Sequence, residues 1–306
     1  MELLLTGAYE FSENQIEEIR KLGYNPIFIQ DERLPLSIEV DKIKAVVCNG
    51  LFLYNDIKIF TSLKYIQLTS AGSDRVPLDY INENKINLYT AKDVYSIPMA
   101  EWVVLKILEI YKSSNFFRKN QENKSWKKKR DLLELTDKVV TIVGCGSVGL
   151  EVAKRLKAFG TIVYGVGRRK IESPYIDKSF KLSELDDLLG MSDAVIISIA
   201  LTEETKYLFN KSRFKAMKDN SVLVNISRGS VIKEDDLIEV VDSGKFMGVA
   251  LDVMENEPLP KDSKLWDNDR IIITPHNSFV SDQTSERLFN VIKKNLTMII
   301  KNGENK

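Results

Sequence analysis

The stretch KVVTIVGCGSVGLEVAKRLKAFG, residues 138–160, limits the fold more than any other. An apolar β-branched run feeds Gly144-Cys145-Gly146-Ser147-Val148-Gly149, a G-x-G-x-x-G pattern. Val152, Ala153 and Leu156 then recur at helical spacing up to Gly160. Glycines alone are common at turns; a strand before them and a helix after them make a phosphate-binding βα turn. The first glycine makes the tight turn, the second lets a pyrophosphate approach the backbone, and the third lets helix and strand pack closely. The N–H groups of Ser147 and Val148, at the helix N-terminus, then face the phosphates.

The rest of the chain repeats this alternation. After KVVTIV come TIVYGV (161–166), DAVIISI (193–199), SVLVN (221–225), MGVALDV (247–253) and RIIIT (270–274), six strands with helix-like spacers, as in a doubly wound dinucleotide-binding domain. The first hundred residues behave alike: Leu3-Leu4-Leu5, PIFI (26–29), KAVVC (44–48), KYIQL (64–68) and INLY (86–89) read as strands. Ser12 and Gln15 form a capping-box pair before a helix with Ile16, Ile19 and Leu22 on one face. Residues 98–117 read as one long helix, and 282–301 as another with Leu288, Val291, Ile292, Leu296 and Ile299 on one side. Strands alternating with helices predict an α/β chain with parallel sheets covered on both faces.

Composition narrows the function. Lys plus Arg equals Asp plus Glu at 44 each, so no overall field favours nucleic acid or a membrane surface. The run Lys127–Arg130 reads as a solvated loop or helix end. Cys48 and Cys145 lie far apart, which argues against a zinc site or a disulfide scaffold and for a reducing cytosol. MELLLTGAYEF lacks the basic start of a secretory leader, and no apolar run reaches the ~20 residues that a bilayer requires. A cytoplasmic protein is expected.

The strand after the glycine turn selects the cofactor. An NAD site usually ends it with Asp or Glu on the ribose 2′-OH. Here the position is Gly167, followed by Arg168, Arg169 and Lys170. Removing the carboxylate lifts repulsion of a 2′-phosphate, and a guanidinium fork matches phosphate geometry. NADP(H) is expected in preference, with NAD(H) as the alternative.

Three further residues each stand just past the carboxyl end of a strand, where open α/β sheets place their ligand crevice. Arg228 follows SVLVN, Glu257 follows MGVALDV, and His276, the sole histidine, follows RIIIT. An arginine can fork onto a carboxylate and polarise a neighbouring carbonyl. A histidine can shuttle a proton near neutral pH, and an adjacent glutamate favours its protonated form. Proton plus hydride is what reduction of a 2-oxo acid requires.

These motifs, with SDAVIISIALTEET, NISRGSVIKEDDLIEVVDSGKFMGVALDVMENEPLP and ITPHNS, resemble the D-isomer-specific 2-hydroxyacid dehydrogenases, over nearly the whole chain and most strongly across 138–284. The resemblance implies a Rossmann cofactor domain (101–282) inserted in a flavodoxin-like substrate domain (1–100 plus 283–306). Arg228, Glu257 and His276 match the catalytic residues. Asp252 matches the Asp that contacts the nicotinamide amide. Val103, Ile199, Ala200, Ile226, Ser227 and Arg228, with His276, match cofactor-lining positions. Ala71, Gly72 and Ser73 match the loop whose N–H groups hold the substrate carboxylate, with Arg228 and His276 completing that site. The family usually has Pro at the position of Ala200, so a less rigid loop is expected there. Trp126 and the 98–130 region match a homodimer arm. The implied function is hydride transfer between NADP(H) and C2 of a small 2-oxo acid or D-2-hydroxy acid. The alternative is a cofactor-sensing, corepressor-like binding module of the same fold.

Overall fold

The computed structural model describes residues 1–303. The chain divides into two compact units, Met1–Tyr95 with the segment from Ser281 onward, and Ser96–Val280.

Unit 1 holds five parallel strands, β1 (Glu2–Thr6), β2 (Asn25–Ile29), β3 (Ala45–Cys48), β4 (Tyr65–Leu68) and β5 (Asn87–Tyr89), in the order β2-β1-β3-β4-β5. This is the flavodoxin-like order. Successive side chains point to opposite faces. Leu3, Leu5, Ala45 and Val47 therefore meet Leu288, Ile292, Leu296 and Ile299 of the helix Thr284–Gly303. Leu4, Val46, Cys48, Ile66 and Leu68 face a second core with Ile57 and Ile81. Each fully buried Leu or Ile in these layers contributes about 1.5–3 kcal/mol relative to exposure. The helix Glu13–Lys21 begins at the expected capping box: Ser12 Oγ accepts from Gln15 N, and Gln15 Oε1 accepts from Ser12 N.

Unit 2 holds seven parallel strands: β6 (Val139–Val143), β7 (Ile162–Gly167), β8 (Lys178–Lys181), β9 (Ala194–Ile197), β10 (Ser221–Asn225), β11 (Phe246–Leu251) and β12 (Ile271–Ile273). Their order is β12-β11-β10-β9-β6-β7-β8. Counted from β6, the strands follow the Rossmann order 3-2-1-4-5-6 with a seventh strand added beyond the sixth. The six-strand expectation thus omitted the third strand, KSFK, and included the extra one. KSFK carries lysines at both ends, which suits an edge strand and hides it from a search for apolar runs. Phe180 anchors it against Tyr164 of β7, ring centroids 5.4 Å apart.

The long helix expected over 98–117 is also corrected. The chain forms Ser96–Tyr111 and then Ser114–Glu122, broken at Ser113, whose φ of 51° is left-handed. Consecutive serines, with side chains that compete for backbone partners, favour such a break. Both faces of the sheet are covered, one by the helices Ser96–Tyr111 and Ser147–Lys157, the other by Leu185–Leu189, Lys211–Ala216 and Glu234–Asp242. Among the described residues no helix is long and apolar enough to cross a membrane.

Candidate active site

In unit 2 the chain leaves β6 toward β7 on one side, while β9 lies on the other, so the switch point of the sheet falls at the glycine turn. The three glycines have three distinct reasons. Gly144 has φ of 100°, and a Cβ there would lie 2.4 Å from Ile199 N. A Cβ on Gly149 would lie 2.3 Å from Gly144 O. A Cβ on Gly146 would meet nothing within 4 Å. The outer two are required by packing; the middle one borders open space. Gly146 also leaves the helix Ser147–Lys157 without a side-chain cap, so its first N–H groups point outward as an anion site. These residues fit a dinucleotide pyrophosphate.

At the end of β7, a Cβ on Gly167 would have only ordinary contacts, the nearest at 3.4 Å, so the missing carboxylate is not a steric necessity. Arg168 and Arg169 are exposed beside it, and neither has an ion pair among the described residues. The loop after β9 carries Ile199 and Ala200. In place of a proline's rigidity it has the buried Thr205 hydroxyl, which donates to Ala200 O and accepts from Thr202 N, both at 2.7 Å.

Arg228 sits in a turn after β10 that closes on itself: Ser227 N donates to Asn225 Oδ1, Asn225 Nδ2 donates to Arg228 O, and Arg228 Nη1 donates to Ser227 O. Gly229 lets this turn lie directly against the loop after β11, since a Cβ there would stand 1.8 Å from Met254 C. That loop carries Glu257. A further clasp holds it: Glu234 N donates to Glu255 Oε1 at 2.8 Å, and Glu255 N donates back to Glu234 Oε1. Burial pushes the Glu234 carboxyl up, and the Glu255 carboxylate adds to the effect. Sequence reasoning missed this clasp and the Thr205 brace; the acidic first turn of the helix Glu234–Asp242 was its only local sign.

His276 is fixed by Asp252, which is fully buried. The His276 N–H donates to Asp252 O at 2.8 Å, and the Asp252 carboxylate accepts from Asn277 N, Ser278 N and the Thr274 hydroxyl. These bonds hold His276 at φ of 50°, a left-handed conformation that costs a non-glycine residue about 1 kcal/mol or more. His276 Nδ1 then lies 2.8 Å from Glu257 Oε2, and Glu257 Oε1 accepts from Met254 N. Burial pushes the Glu257 carboxyl up, but the bond and charge of His276, the Met254 N–H and the Arg228 guanidinium outweigh it, so Glu257 lies below the usual carboxylate range. An ionised Glu257 accepts the Nδ1 proton and orients the ring. His276 Nε2 has no hydrogen bond among the described residues. The structure therefore brings Arg228, Asp252, Glu257 and His276 together. Ile226 and Ser227 are buried beneath them, and Val103 is enclosed in the core.

In unit 1, Ala71, Gly72 and Ser73 follow β4 in a loop held by Ser70 Oγ donating to Gly72 O at 2.8 Å and by the Tyr95 hydroxyl on Thr69 O. The N–H groups of these three residues have no partner among the described residues.

Residues 104–278 match the model of the D-isomer specific 2-hydroxyacid dehydrogenase, NAD binding domain. A glyoxylate reductase of Thermofilum pendens is 30% identical over 279 residues, 89% of this chain and 80% of its own. A D-3-phosphoglycerate dehydrogenase of Archaeoglobus fulgidus is 30% identical across 93% of this chain, which spans only 54% of that protein. A solved D-isomer specific 2-hydroxyacid dehydrogenase family protein of Aeromonas salmonicida superposes with a TM-score of 0.81 at 26% identity, covering 98% of this chain and 96% of the other. With an uncapped phosphate turn and a buried aspartate presenting a carboxylate-paired histidine, the chain belongs to the D-isomer-specific 2-hydroxyacid dehydrogenase family of oxidoreductases.

Proposed function

We propose that this chain reduces a small 2-oxo acid to the D-2-hydroxy acid, with NADPH preferred over NADH. The observation that carries the reading is the Glu257–His276 pair at 2.8 Å, with Nε2 unengaged among the described residues. The nicotinamide supplies the hydride. His276 Nε2 holds the proton that the carbonyl oxygen takes up at C2, and Glu257 keeps the ring in the orientation and tautomer for that transfer. Arg228 polarises the carbonyl and favours the ionised Glu257. By family resemblance, the N–H groups of Ala71, Gly72 and Ser73 are assigned to the substrate carboxylate, and Asp252 to the nicotinamide amide.

NADPH preference is supported by Gly167 in the position of the usual acid and by Arg168 and Arg169, which have no ion pair among the described residues. A charge-assisted bond to the 2′-phosphate is worth about 1.5–3 kcal/mol, or roughly 10–150-fold. The chain works as a homodimer, a reading supported by Trp126, whose side chain is 97% exposed in an irregular segment. Its two unpaired thiols suit a reducing cytosol.

The test is steady-state consumption of NADPH and of NADH with a panel of 2-oxo acids and chiral analysis of the product. The expected result is D-product and a kcat/KM at least about tenfold higher for NADPH. Cofactor binding without turnover of any oxo acid would contradict the reductase reading, and equal values for the two cofactors would contradict the preference.

A further inference from the structure

The clasp between Glu234 and Glu255 stands at the start of the helix Glu234–Asp242. The first N–H groups of a helix find no partner within it, and the N-cap residue normally supplies a side-chain oxygen. Here the N-cap is Lys233, which makes no side-chain cap and has no acceptor to make one with. Glu255, 21 residues beyond Glu234, supplies the oxygen instead. Its Oε1 accepts from Glu234 N at 2.8 Å, at the helix end where a negative group is favoured. The return bond, from Glu255 N to Glu234 Oε1, makes this a capping pair shared between two loops.

A third side chain closes on the same carboxylate. Tyr207, in the loop after β9, donates its hydroxyl to Glu255 Oε2 at 3.0 Å. Its backbone is left-handed, with φ of 52°, and its N–H donates to Ser230 O at 2.8 Å, in the turn after β10. A left-handed non-glycine residue persists only where its surroundings fix it, and such residues gather at functional sites. Asp235 and Glu257 are the other charges that face Glu234.

The clasp is joined to the imidazole through the short turn 254–257. Met254 N donates to Glu257 Oε1 at 3.2 Å, and Glu257 Oε2 lies 2.8 Å from His276 Nδ1. Gly229 lets the turn after β10 rest on Met254 and Glu255, since a Cβ there would stand 2.2 Å from Glu255 N. A displacement of about 1 Å at reacting groups can lower a rate about a hundredfold, so whatever fixes this turn bears on catalysis.

We propose that Glu255 is a positioning residue for the candidate active site. Locked to the helix by Glu234 and held from the loop after β9 by Tyr207, it fixes the turn that aims Glu257 at His276. This deepens the reductase reading and rests on it for the effect on rate; the effect on the imidazole does not.

His276 is the sole histidine, so its ring C–H resonances in the full-length chain need no assignment. The test is their pH titration in wild type, Glu255→Ala and Glu255→Gln. The glutamine removes the charge but keeps an oxygen for Glu234 N. A carboxylate beside an imidazole favours its protonated form. Glu255→Ala is therefore expected to lower the midpoint by about 0.5 pH unit or more, and Glu255→Gln by less than about 0.2. An unmoved midpoint in folded Glu255→Ala would overturn the proposal. So would an equal fall in both variants, which a charge acting through space would give. If Glu255→Ala does not fold, Tyr207→Phe removes one exposed hydroxyl and carries the same test. Its midpoint is expected at least about 0.2 pH unit below wild type, and no movement there overturns the proposal. A kinetic arm separates positioning from general loosening. Glu255→Ala is expected to lower kcat about 10–100-fold with NADPH affinity unchanged, yet less than about twofold further in the Glu257→Ala background. The same loss in both backgrounds would overturn the positioning role. Absence of turnover by the wild-type chain would count against the reductase reading and leave the titration to decide this one.

Discussion

Cys145 sits within the phosphate-binding turn, yet burial pushes its thiol up to about 12 against a backbone hydrogen bond at Val166. Cys48, fully buried in unit 1, is also pushed up by burial and by the Glu32 charge. The thiolate is the reactive form. Iodoacetamide at pH 8 is therefore expected to label Cys48 only after denaturant is added and the partly buried Cys145 only slowly, as mass spectrometry would read; rapid labelling of Cys145 in the folded chain would contradict its raised thiol. Glu257 makes a second prediction. Its carboxyl lies below the ordinary value of 4.5, so the stability it contributes is fully present above that value and lost as pH falls through the lower folded value. Denaturant unfolding should show a gap between wild type and Glu257→Gln that is constant at neutral pH and shrinks below the carboxylate range. A gap that grows on acidification would reverse the sign of the interaction. Arg228, Glu257 and His276 could be located in the sequence because each ends a strand of recognisable composition. The left-handed φ of His276 and the bonds that Asp252 gives to residues 274–278 could not, because they join loops more than twenty residues apart with no shared period.

At the scale of elements, the glycine turn separates packing from binding. Gly149→Ala puts a Cβ against a backbone oxygen and is expected to cost about 3 kcal/mol or more, or to prevent folding. Gly146→Ala enters open space at an ordinary φ of −75°, so the variant should keep its stability within about 1 kcal/mol while losing roughly tenfold or more in cofactor affinity. Thermal unfolding and cofactor titration on the two variants check both; a destabilised Gly146→Ala with normal affinity would exchange the roles. The same scale shows where periodicity runs out. Eleven of the twelve described strands announce themselves as apolar runs, whereas β8 has its one large apolar anchor, Phe180, on a partner in β7. The break at Ser113 lies inside a pattern with apolar residues on both sides, and that periodicity masks the weaker signal of the serine pair.

At the scale of the whole molecule, zero formal net charge leaves association to surface chemistry rather than to long-range attraction. Trp126, almost wholly exposed, is expected at the contact between two copies. Sedimentation should give a dimer, and Trp126→Ala should weaken it; a wild-type monomer at micromolar concentration would contradict the homodimer. The proposed reduction converges on one imidazole, held by Asp252 and paired with Glu257. The most direct measurement compares wild type with His276→Ala for turnover of a reactive 2-oxo acid at saturating NADPH, with the NADPH dissociation constant measured in parallel. The expected result is a loss of roughly 10²–10⁴-fold in kcat with NADPH affinity unchanged; turnover near the wild-type rate in that variant would contradict the role of His276 as proton donor.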